Sequence, residues 1–142
     1  MVKKFLSIFI LSFMMLSNNT YAHDVRIDGK WRNLVKAIAH IESRHNTDAV
    51  SSCGTYVGFL QISKIVVDDC NRIIGEQKYE YEHRYDKQSS IEMFYIIQGY
   101  YNPKGDIEKA IRIWNGGSNF SKKKTDKYYQ KVFNEYIKIN KM

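Results

Sequence analysis

Two cysteines, four histidines and one proline are spread through 142 residues, and acidic residues are outnumbered 15 to 22 by Lys and Arg. Each scarcity excludes something. His40, Glu42 and His45 stand close together, but no second His lies four residues from His40 or His45, so no metal-ligand spacing forms and no metal or cofactor is expected. The one long apolar run, residues 5–16, is too short to span a bilayer, and no second run follows it, so no stable membrane insertion is expected. Strand-like alternation is weak, and neither an internal repeat nor a disordered tract stands out.

The short apolar run has its own meaning. Lys3 and Lys4 precede it, and a polar stretch ending Thr20-Tyr21-Ala22 follows it, with Thr20 and Ala22 as the small residues before a cut. That is the layout of a secretory signal peptide over residues 1–22. No Cys lies near the cut to accept a lipid. The expected product is an exported, soluble, monomeric single domain, residues 23–142, in a periplasm or outside the cell. Without Lys3 and Lys4 the chain carries 20 Lys and Arg against 15 Asp and Glu, a net +5, and from Pro103 onward ten against four. Such charge suits a polyanion or an anionic envelope, or serves solubility alone, and export argues against nucleic acid as the partner.

Cys53 and Cys70 both fall in the exported part. An even count in an oxidising compartment favours a bridge, which would close a loop of about 18 residues and stabilise by roughly 3 kcal/mol. The alternative is a buried thiol, because Cys70 shares a helical face with Val66, Ile73 and Ile74.

Helical periods organise the rest. Trp31, Leu34, Val35, Ile38 and Ile41 form one buried stripe. Residues 46–56, rich in Ser, Thr, Asp and Gly, read as a loop or a small β-like excursion. A second helix is expected from about Ser63 to a stop at Gly75. A loop is expected over 76–88, then a third helix with Ser89 and Glu92 as its capping box. Residues 102–105 make a turn, Asp106 caps a short helix, and Asn115-Gly116-Gly117 stops it. Lys122-Lys123-Lys124 reads as a solvated loop before a last helix with Tyr129, Val132, Phe133, Tyr136 and Ile137 on one face. The fold class is α+β, predominantly α-helical.

Glu42 is the residue on which function turns. It follows Ile38 by four positions, about 40° around the axis, at the rim of the buried stripe and in the helix's last turn. Apolar neighbours and the negative end of the helix dipole both press a carboxylate there toward its neutral form, the state of a general acid. The bland alternative is a helix-end Glu paired with Arg44 or His45.

Three further segments decide between them. Glu42-Ser43 ends the helix, Ala49-Val50-Ser51 lies in the loop, Gly58-Phe59-Leu60-Gln61 follows, and Ile113-Trp114-Asn115-Gly116-Gly117 closes the fourth helix. In that order and at those separations, over about residues 31–137, the chain resembles the lytic transglycosylase (SLT) domain of the soluble-lytic-transglycosylase family, related to goose-type lysozymes. The family's pattern is Glu-Ser, Ala-Val-Ser, Gly-Leu-Met-Gln and Ala-Tyr-Asn-Ala-Gly.

The resemblance implies a lysozyme-like fold and cleavage of the β-1,4 bond between N-acetylmuramic acid and N-acetylglucosamine in peptidoglycan strands. It makes Glu42 the sole catalytic acid, then the base that draws a proton from the muramyl 6-hydroxyl, leaving 1,6-anhydromuramyl ends. It assigns Ser51 and Gln61 to substrate binding. Asn115 matches the family's Asn, with a turn role and a substrate role both open. Trp114 stands where the family usually has Tyr. Indole offers a donor only, so Trp114 either stacks on a sugar or packs. Hydrolysis on the same scaffold would need a second carboxylate, for which Asp48, Asp68, Asp69 and Asp86 are the candidates. A non-catalytic glycan-binding envelope protein is the competing class, and it would have no need of a desolvated Glu42.

Overall fold

The computed structural model describes residues 29–142, so the expected signal peptide lies outside the described residues. Five helices follow one another: α1 (Gly29–Ser43), α2 (Lys64–Ile74), α3 (Lys87–Tyr101), α4 (Ile107–Gly116) and α5 (Lys122–Lys141), with a 3-10 turn at Tyr81–Tyr85 before α3. None of them is long and apolar enough to cross a membrane. The β component among the described residues is two isolated antiparallel bridges, Val50 with Val57 and Val57 with Ile62, which pin the loop after α1.

α1 is the spine because its stripe is complete. Leu34, Ala37, Ile38 and Ala39 have no exposed surface, and each large aliphatic side chain buried this way contributes roughly 1.5–3 kcal/mol. α5 packs on α1 and α4, while α2 and the 3-10 turn pack on α3. Phe94 of α3 joins the two groups. Its ring meets Trp31 of α1 edge-on at 5.9 Å and Trp114 of α4 at 5.1 Å.

The helix ends account for the differences from expectation. α3 begins at Lys87, two residues before Ser89, because Asp86 is the cap: its carboxylate accepts from the Ser89 N–H at 2.7 Å. That bond to Ser89 holds the Asp86 carboxyl below its ordinary range. Glu92, expected to complete a capping box with Ser89, instead accepts from the Tyr79 hydroxyl and from Lys78. The segment before it is not a plain loop but contains the 3-10 turn, whose Arg84 is buried. Lys122-Lys123-Lys124 is not a loop either. It is the first turn of α5, with Ser121 as its cap. Asp106 caps α4 as expected, accepting from the Lys109 N–H at 2.6 Å, and Gly75 ends α2 in the left-handed conformation.

The Cys53–Cys70 bridge is absent, and both thiols are free. The face of α2 that carries Val67 and Cys70 is turned into the core, where the Cys70 thiol lies 3.6 Å from the Met93 carbonyl oxygen on α3. Cys53 sits exposed on the loop. Packing of α2 on α3 thus turns Cys70 away from the loop, and it is the core residue of the two readings.

Candidate active site

α1 ends one residue after Glu42, and the way it ends sets the site. The His45 N–H reaches back to the Ala39 carbonyl and the Arg44 N–H to that of His40, closing the helix with a left-handed turn that no glycine relieves. Arg44, His45 and Gln61 are the three non-glycine residues with positive φ among the described residues, and they bracket the loop that follows Glu42. Backbone strain concentrated in this way is characteristic of functional loops.

Ser43 donates to the Phe59 carbonyl at 2.8 Å, fastening the end of α1 to the returning arm of that loop. Gly58 supplies the sharpest constraint. Its φ is +80°, and a Cβ there would stand 1.9 Å from the Arg84 carbonyl oxygen. The close approach is therefore made by protein backbone. Arg84 answers from the other side, its guanidinium donating to the carbonyls of Tyr81, Thr55 and Ile62.

Glu42 itself forms no ion pair with Arg44 or His45, both of which are exposed. Its partner comes from the far end of the chain. The Tyr128 hydroxyl on α5 donates to Glu42 Oε1 at 2.5 Å. Burial pushes the Glu42 carboxyl above its ordinary value, and the hydrogen bond from Tyr128 opposes part of that rise. The Tyr128 phenol is driven well above its own ordinary value by burial and by the neighbouring carboxylate, so it stays a donor. An acid held toward its neutral form, with a fixed hydroxyl donor for its ionised form, suits proton donation followed by proton recovery.

This pair opens on a cleft of about 460 Å³ lined by Ile41, Glu42, Asn115, Lys124, Lys127, Tyr128 and Lys131. Glu42 is the only carboxylate among these lining residues. The other four carboxylates considered from the sequence are elsewhere. Asp68 accepts from Tyr81, Asp69 from Arg72 and Tyr101, Asp86 caps α3, and Asp48 is exposed in a turn. No group of three His, Cys, Asp or Glu side chains among the described residues is placed to hold a metal ion.

The expected binding residues divide. Asn115 lies on the cleft and is exposed to it. Gln61 spends both amide hydrogens on backbone, donating to the Ala49 and Gly58 carbonyls, and keeps its Oε1 as acceptor. Ser51 accepts from the Tyr56 N–H at 3.0 Å inside its own loop. Trp114 packs on Phe94 and donates to the Leu60 carbonyl at 3.3 Å. Ser51, Gln61 and Trp114 do not line this cleft; in this geometry they hold the loops beside it.

Sequence reasoning passed over Tyr128, Arg84 and Arg112. The signal for Tyr128 was present: with Thr125 and Val132 it makes an i, i+3, i+7 set, one position off the aromatic stripe. Thr125 and Val132 are buried, which turns Tyr128 inward toward α1. Arg112 fixes that orientation. Its buried guanidinium pairs with Glu108 and Asp126 and donates to the Lys122 carbonyl and the Thr125 hydroxyl, clamping the start of α5 to α4.

The family model of the transglycosylase SLT domain matches residues 22–137 of the chain. No curated protein and no solved structure matches it.

Proposed function

Because the chain belongs to the transglycosylase SLT domain family, lytic transglycosylases of lysozyme-like, helix-dominated fold that act on peptidoglycan, we propose that Glu42 is its catalytic acid and then its base. The substrate bond is the β-1,4 link from N-acetylmuramic acid to N-acetylglucosamine, and cell-wall action implies an exported protein. The observation that carries the reading is Glu42 itself, the sole carboxylate lining the cleft, held toward its neutral form and hydrogen-bonded by Tyr128.

Neutral Glu42 gives its proton to the glycosidic oxygen as the bond to the muramyl C1 breaks. The acetamido oxygen of the same sugar attacks C1 and carries the positive charge. Glu42 is now a half-buried carboxylate, and the Tyr128 hydroxyl stabilises it. It takes the proton of the 6-hydroxyl, whose oxygen attacks C1 and releases the acetamide. The acid returns to its starting state and no water is consumed. Attack by a group on the same sugar has an entropic advantage over attack by solvent, and the cleft lining holds no second carboxylate to activate a water. Asn115, which lines the cleft, bonds the acetamido sugar. Gln61, Ser51 and Trp114 keep the flanking loops in register, with Gln61 Oε1 as a further acceptor.

Purified peptidoglycan digested with the protein is expected to yield 1,6-anhydromuramyl ends by mass analysis, lighter by one water than hydrolytic ends. Glu42→Gln keeps the acceptor for Tyr128 and loses the proton, so turnover should fall at least about 10²-fold with glycan binding retained. Chiefly reducing muramyl ends would reassign the protein to the hydrolases, and near-normal turnover by Glu42→Gln would remove Glu42 from the reaction.

A further inference from the structure

The cleft has a second chemistry beside its acid. Lys124, Lys127 and Lys131 line it together with Glu42 and Tyr128. They lie at i, i+3 and i+7, so they share one face of α5 and extend along it for about 10 Å. All three are exposed, and none forms an ion pair among the described residues, whereas Lys122 pairs with Glu108 and Lys138 with Glu135 on the same helix. The only carboxylate in the cleft, Glu42, forms no ion pair with them and is hydrogen-bonded by Tyr128 instead. Nor does helix stability account for Lys124. It stands in the first turn of α5 with Lys122 and Lys123 and no acid, the wrong sign for the positive end of a helix dipole.

We propose that Lys124, Lys127 and Lys131 form a carboxylate-binding strip that takes the peptide stem carried by the muramyl residue in the cleft. The proposal rests on the peptidoglycan reading above. The amino sugars of the strand are themselves uncharged, so its anions are the carboxylates of the lactyl group and the stem. A row of ammonium groups about 10 Å long fits several carboxylates spread along a short peptide better than the single one of a bare lactyl group. The strip therefore makes this protein selective for strands with stems attached.

The test compares uncross-linked strands with stems against the same strands stripped by an amidase, which leaves the lactyl carboxylate as the internal control for that source. Wild type is expected to show a KM for stem-bearing strands about tenfold below that for stripped ones, a margin that shrinks as salt rises. The K124Q/K127Q/K131Q variant should lose the margin, its KM for stem-bearing strands rising to that for stripped ones, and K127Q alone should lose part of it. K64Q/K104Q/K141Q, an equal loss of net charge away from the cleft lining, should keep it. A margin that survives K124Q/K127Q/K131Q, or a variant that weakens both substrates equally, overturns the strip. Binding of the same strands to Glu42→Gln protein, with and without the lysine substitutions, is measured alongside. If wild type cuts neither substrate, the transglycosylase reading fails, while the binding margin still decides for or against the strip.

Discussion

Glu42 and Tyr128 are 86 positions apart in sequence and share a hydrogen bond of 2.5 Å, so the acid's behaviour is set by two opposed influences that can be separated. Burial raises its proton affinity, and the Tyr128 hydroxyl, which favours the ionised form, lowers it. In the proposed reaction Glu42 starts protonated, so activity is expected to fall as pH rises through its raised value. Tyr128→Phe removes the lowering influence alone. Its alkaline limb should move to higher pH, and kcat at the optimum should drop on the order of tenfold, the worth of a hydrogen bond to a charged group. A pH–rate profile checks both; an unmoved limb would mean that the hydroxyl does not act on the reacting carboxylate. Tyr128 is in this sense a positioning residue.

Among the elements, the segment from residue 44 to 63 is the one under most constraint, and two of its glycines separate the reasons. Gly54 and Gly58 both have positive φ, +71° and +80°, but a Cβ at Gly54 meets nothing within 4 Å, while at Gly58 it would stand 1.9 Å from the Arg84 carbonyl oxygen. Gly54→Ala should therefore cost only the backbone penalty, about 1 kcal/mol. Gly58→Ala adds displacement of the 3-10 turn and should cost about 3 kcal/mol or more. Urea denaturation of the two variants measures the difference, and equal losses would show that the turn is free to retreat. α5 is held in the opposite manner, by the buried Arg112 rather than by backbone fit.

At the scale of the whole molecule, the two thiols report on the fold. Cys53 is exposed and its thiol is brought down to about 7 by hydrogen bonds from the Ser51 and Thr55 side chains, whereas burial pushes the Cys70 thiol up to about 12. Iodoacetamide near neutral pH should label Cys53 quickly and Cys70 only when the α2–α3 interface opens with global unfolding. Reductant should leave the melting temperature unchanged. A bridged species in non-reducing mass analysis of the protein, or rapid double labelling of the native one, would contradict this packing.

How much of this was legible beforehand depended on the range of the interaction responsible. The stripe of α1, the stop at Gly75, the Asp106 cap and the placing of Glu42 at a buried helix end follow from neighbours within a turn or two, and local periodicity carries that information. So does the ordered set of family motifs, each a contiguous segment. The partner of Glu42, the role of Arg84 behind Gly58, the fate of Cys70 and the convergence of three lysines on the acid depend on which faces of α1, α2, α3 and α5 meet. Those choices are made by packing between residues tens of positions apart. One residue of misphasing on α5 hides Tyr128 behind a plausible aromatic stripe, and only the buried Thr125 and Val132 reveal which side faces the acid.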